Sequence, residues 1–62
     1  MSIGKKIREL REKNGISTLT LAKEIGVSQR AIEYWEREKR VPRIESIKAI
    51  ADYFNISLDS FF

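Results

Sequence analysis

Sixty-two residues suffice for one domain, 1–62, and leave little apolar material for a deep catalytic cleft, because a chain of this size buries only about 60% of the surface its unfolded form exposes. Twelve Lys and Arg against nine Asp and Glu give a formal charge of +3 and a pI near 9.5, a mildly basic balance that permits a polyanionic partner without requiring one. With no cysteine and no histidine, disulfides and the usual zinc ligands are excluded, so no metal and no cofactor are expected. No apolar run approaches a membrane span, and Met1 to Lys6 lack the apolar core of a signal peptide. The expected setting is therefore cytoplasmic, with stability coming from helix packing.

Apolar periodicity and punctuation predict five short helices. In the first, Ile3, Ile7 and Leu10 make one stripe among charged residues, and Asn14-Gly15 ends it because glycine adopts the left-handed stop cheaply. The second opens at Ser17, a good N-cap, with Ile16 and Leu21 at the spacing of a hydrophobic staple. Leu21, Ala22 and Ile25 form its buried face, and Gly26 closes it. The third repeats that opening with Val27, Ser28 and Ile32, and its inner face carries Ala31, Ile32 and Trp35. The fourth follows Pro42, with a stripe of Ile44, Ile47, Ile50, Ala51 and Phe54 and an end at Asn55. The last starts at Ser57, where Ile56 and Phe61 again have staple spacing, and it runs about one turn. No strand pattern competes. The fold class is all-α.

Thr18 to Arg37 is the informative stretch. It reads as helix, three-residue turn, helix, with Ala22 small enough for two steeply crossing helices to approach and Gly26 able to take positive φ where the chain reverses. In such a unit the second helix enters the DNA major groove, its N-terminal residues meeting base edges.

Residue by residue, the chain resembles the phage repressor and Cro type of helix-turn-helix, the XRE family. The matching blocks are Ile7-Arg8-Glu9-Leu10-Arg11, Asn14-Gly15-Ile16-Ser17, Leu21-Ala22, Ile25-Gly26-Val27-Ser28, Ile32 and Trp35-Glu36. Lys39-Arg40-Val41-Pro42, Ile50-Ala51 and Ile56-Ser57-Leu58-Asp59 follow. The match covers nearly the whole chain at the family's spacing. It implies a lambda-repressor-like compact bundle of four helices plus a short fifth, and sequence-specific binding of double-stranded DNA in a transcriptional repressor or regulator. The recognition helix would run over about 28–36.

The resemblance also implies roles. Gln29, Arg30 and Glu33 match base-reading positions, suited to adenine, guanine and cytosine edges respectively. Ala31 and Tyr34 lie near the same face as further contacts. Ser17, Thr18 and Ser28, at helix starts, and Arg37, Lys39, Arg40 and Arg43, after the recognition helix, match phosphate-anchoring positions. Arg11 and Glu36 resemble an ion pair tying the first helix to the third, structural together with Ala22, Gly26, Ile32 and Trp35. A homodimer on two half-sites is the implied assembly, with Ile56 to Phe62 as the candidate interface. The chain departs from the family at Thr18, where Gln is usual; at Glu38, where Gly is usual; and at Arg43, where a small N-cap is usual.

Other readings attach to the same residues. An exposed polar helix face is ordinarily only solvated, and a basic run ordinarily serves solubility. An enzyme would need more than scattered carboxylates, and no phosphate-binding glycine loop is present. A protein-interaction role, such as an antitoxin, is the better rival; Gln29 and Arg30 favour DNA, while Glu33 and Glu38 favour the rival. No small-molecule pocket is evident in the sequence.

Overall fold

Four α-helices and a terminal turn form in the order the apolar stripes predict. A computed structural model describes residues 2–62; Met1, the first residue of the N-terminal stretch read above, lies outside them. The helices are α1 (Ile3–Lys13), α2 (Thr18–Ile25), α3 (Gln29–Glu36) and α4 (Ile44–Phe54), followed by a 3₁₀ turn over Leu58–Phe61. The fifth helix is thus a tight turn rather than an α-helix, because four residues offer too few i→i−4 bonds to sustain one.

A single short device joins most of these elements. Each of the four helices ends on a residue with left-handed backbone: Gly15 (φ 66°), Gly26 (φ 75°), Glu38 (φ 61°) and Asn55 (φ 57°). At the end of α1, the Gly15 N–H donates to the Glu12 carbonyl and the Ile16 N–H to Arg11. At the end of α4, Asn55 donates to Asp52 and Ile56 to Ala51. These are Schellman closures, which satisfy carbonyls that a helix end otherwise leaves unpaired. The next residue, Ile16, Val27 or Ile56, packs partly buried against the core. The residue after that is a serine that caps the following element. Ser17 accepts from the Thr20 N–H, Ser28 from Ala31 and Ser57 from Asp59. Gly-Ile-Ser, Gly-Val-Ser and Asn-Ile-Ser therefore each end one element and start the next within three residues.

The core is one cluster of Ile7, Leu10, Leu21, Ala22, Ile32, Trp35, Ile47, Ile50, Ala51 and Phe61. Helix α3 packs against both α1 and α2, α2 packs against α4, and the 3₁₀ turn packs on α4. Ala22 is buried, as the close crossing of α2 and α3 requires. Ile44 differs from its expected place in the buried stripe of α4, being 53% exposed. At about 100° per residue it falls to one side of the line through Ile47, Ile50 and Phe54. Phe61 is buried and Phe62 is 70% exposed.

One contact has no sequence signal in the stripe of α1. Gly4 is buried in that helix, and a Cβ built on it would lie 1.9 Å from the backbone carbonyl oxygen of Trp35. Bare backbone is what lets the first turn of α1 meet the last turn of α3. A backbone obstacle cannot rotate away, so Gly4→Ala should destabilise the domain by about 2 kcal/mol or more despite alanine's higher helix propensity. Urea unfolding followed by circular dichroism checks this; an unchanged midpoint would show that the two helices separate freely.

Candidate nucleic-acid interface

The outer face of α3 follows from what its inner face must bury. Ile32 and Trp35 point into the core, and the i, i+3, i+4 geometry of a helix then turns Arg30, Glu33 and Tyr34 outward. Gln29 and Arg30 are exposed, while Ala31, Glu33 and Tyr34 are partly buried. Arg30 makes no ion pair among the described residues, which leaves its guanidinium fork uncommitted.

Thr18 and Gln29, the first residues of α2 and α3, are brought together by the crossing of those helices. Gln29 Nε2 donates to Thr18 Oγ1 at 3.0 Å. The bond fixes the orientation of the Gln29 amide and leaves its carbonyl oxygen and second N–H for another partner. Having accepted this bond, the Thr18 hydroxyl keeps its own proton to donate. Thr18 thus engages Gln29, a link not anticipated from the sequence. Its signal was available: both residues directly follow a serine cap, and a short turn joins the two helices they start.

Ser17 is more committed than its expected phosphate role suggests. Its hydroxyl accepts from the Thr20 N–H and donates to Thr20 Oγ1, both at 3.0 Å. The Ser28 hydroxyl accepts from Ala31 N–H at 3.1 Å and keeps its proton. Arg37, Lys39, Arg40 and Arg43 are all exposed, forming a basic run across the loop from α3 to α4. Arg43 occupies the N-cap of α4 and makes no side-chain cap, so the cost of an uncapped helix start accompanies the extra cation.

The far end of α3 is held by an ion pair. Arg11 donates from Nε to Glu36 Oε2 at 2.7 Å and from Nη2 to Glu36 Oε1 at 3.0 Å. Its Nη1 donates to the Ile16 carbonyl at 3.1 Å. One guanidinium therefore ties α1, the α1–α2 junction and the end of α3. The two side chains are only 16% and 8% exposed, which separates this pair from a solvated surface pair of negligible worth. The hydrogen bond to Glu36 holds the Arg11 guanidinium above its ordinary pKa, against the opposing effect of burial.

Comparison with known proteins matches this geometry. A profile of the helix-turn-helix family matches residues 7–61. The chain belongs to that family. More specifically, it belongs to the XRE-type, phage-repressor branch of these DNA-binding transcription regulators. It is 34% identical over 59 residues to the HTH-type transcriptional activator BcrR of Enterococcus faecalis, covering 95% of this chain and 29% of the relative. It is 27% identical over 59 residues to the HTH-type transcriptional regulator ImmR of Bacillus subtilis, covering 95% of this chain and 46% of that one. The chain thus spans less than half the length of either relative. Among solved structures, the P22 c2 repressor in complex with a synthetic operator superposes with a TM-score of 0.91 at 34% identity, covering 100% of this chain and 94% of that one.

No described helix is long and apolar enough to cross a membrane. Within this helix-turn-helix frame, Glu38 is the residue least suited to its backbone. Its N–H donates to the Trp35 carbonyl, and Lys39 donates to Tyr34 at 2.8 Å, completing the same closure that Gly15 makes after α1 and Asn55 after α4. A side chain in the left-handed region costs about 1–2 kcal/mol, partly offset by the greater entropy a glycine loses on folding. Glu38→Gly should therefore stabilise the domain by about 0.5–1 kcal/mol, seen as a higher urea midpoint. A loss of stability would mean that the Glu38 side chain makes a contact that outweighs its strain.

Proposed function

We propose that this domain reads double-stranded DNA by laying the start of α3 in the major groove, and that the protein carrying it regulates transcription by binding rather than by catalysis. The observation that carries the reading is the Gln29–Thr18 bond beside an uncommitted Arg30. An amide held in one orientation presents a fixed donor–acceptor pair, the pattern that recognises adenine N7 and N6. The next side chain offers the fork that suits guanine O6 and N7. Glu33 accepts from cytosine, and Tyr34 and Ala31 border the contacted bases.

Phosphates flank this reading head. On one side stand the unpaired N–H groups at the start of α2, with the Thr18 and Ser28 hydroxyl protons. On the other stand Arg37, Lys39, Arg40 and Arg43. Ser17 contributes through the α2 cap it makes rather than through a free hydroxyl. A head this small contacts few base pairs, so two copies on two half-sites about one helical turn apart raise both affinity and specificity. The proposed assembly is a homodimer, with exposed Phe62 in its interface. Such a regulator acts where the DNA is, in the cytoplasm and on the nucleoid. That the P22 c2 repressor is seen with operator and BcrR is an activator supports regulation in either direction.

Two substitutions separate base reading from phosphate anchoring. Arg30→Ala should cost about 1–3 kcal/mol at one or two base positions, seen as lost discrimination in competition binding with single-base variants. Lys39→Ala should weaken every duplex alike and lower the slope of log K against log salt by about one. A uniform loss for Arg30→Ala would contradict base readout, and an unchanged slope for Lys39→Ala would remove it from the backbone contacts.

A further inference from the structure

Beside the close contact of Gly4 with the Trp35 carbonyl, the surface opens into a cleft. Where the first turn of α1 meets the end of α3, a cavity of about 250 Å³ is lined by Ile3, Trp35, Val41 and Pro42, with Glu38 and Arg40 as its charged members. The sequence did not show it, because its walls come from three separate segments. Neither Glu38 nor Arg40 is ion-paired among the described residues. The rim of the cleft thus carries one acidic and one basic residue outside any ion pair, Glu38 also bordering a second groove beside Lys5 and Arg8. Drug-sized ligands occupy pockets of roughly 300–1,000 Å³, so this one suits a smaller molecule.

We propose that the cleft is an effector site for a small zwitterion with an apolar side chain, of the class of free aliphatic α-amino acids. The side chain would lie on Ile3, Trp35, Val41 and Pro42, the ligand's carboxylate would meet Arg40, and its ammonium would meet Glu38. A ligand with a carboxylate alone would face Glu38 unfavourably, and an amine alone would face Arg40. Only the zwitterion satisfies both charges, and this is the basis for the assignment.

Arg40 gives the site its consequence. It also lines the groove on the recognition-helix side, beside Ala31, Arg43 and Ser46. Ligand and DNA phosphate would therefore compete for one guanidinium, and by linkage each weakens the other's binding. This coupling rests on the DNA reading above; occupancy of the cleft does not.

The test uses the chain's one tryptophan, which forms the cleft floor. Trp35 emission of the free protein is followed during titration with L-leucine, isovalerate and isoamylamine, at constant ionic strength. Leucine should give a saturable change at millimolar concentration, and the two singly charged analogues should bind at least fivefold more weakly. Arg40→Ala and Glu38→Gln, both exposed and checked for folding by circular dichroism, should each weaken leucine severalfold. No saturable change with leucine, equal binding of an analogue, or wild-type affinity in both variants would overturn the proposal. Saturating leucine should then lower the affinity for a bound duplex. An unchanged duplex affinity would overturn the competition at Arg40. Failure to bind any duplex, with or without leucine, would sink the DNA reading while the fluorescence result stands.

Discussion

The bidentate pair between Arg11 and Glu36 fastens the end of a helix that cannot hold itself. Helix α3 has eight residues, and isolated helices shorter than about 12–15 residues are marginal in water. Its start, Gln29 and Arg30, is exposed, and only Ile32 and Trp35 are fully buried. What remains to hold it lies at its two ends. Ser28 caps the start, and a Schellman closure at Glu38 and Lys39 finishes the other end. Arg11 clamps Glu36 while also holding the Ile16 carbonyl, and Gly4 lets the α1 backbone sit directly on the Trp35 carbonyl. An exposed face is available because the stability comes from elsewhere.

The same economy explains the junctions. A small domain has little core, and long connections would add entropy without adding burial. Three connections are therefore reduced to a left-handed stop, an apolar residue and a serine cap. The short turn between α2 and α3 is what brings Thr18 against Gln29. The local chemistry that ends α2 and starts α3 thus also orients the amide proposed to read a base. The fourth junction, from Glu38 to Arg43, is the longest and breaks the pattern. It holds Glu38 in a conformation glycine prefers, starts α4 without a side-chain cap, and carries most of the basic run. Local stability is reduced where charge is concentrated, consistent with the tendency of functional segments to depart from local optima.

Much of this was legible in the chain. Gly15, Gly26 and Asn55 mark real helix ends, and Ser17, Ser28 and Ser57 mark real starts, because each signal is a local backbone preference that the tertiary fold also satisfies. The buried faces were legible wherever they followed helical spacing, as at Ile47, Ile50 and Ala51. Ile44 misled because a stripe has width, and its edge was counted as its centre. Gly4 was invisible for a different reason. Periodicity says which way a residue faces but not how closely the facing backbone approaches. The Gln29–Thr18 bond was signalled only by the two serine caps that precede its partners, and the cleft beneath Val41 and Pro42 was unreadable, since it depends on segments distant in sequence meeting at a particular angle.

Base reading by α3 is tested most directly by selection of duplexes from a random DNA pool at physiological salt, followed by sequencing. The expected result is a compact enriched motif, present as an inverted pair with centres about one helical turn apart. Weak, salt-sensitive retention with no enriched sequence would contradict it, leaving a polar helix face that touches DNA without reading it.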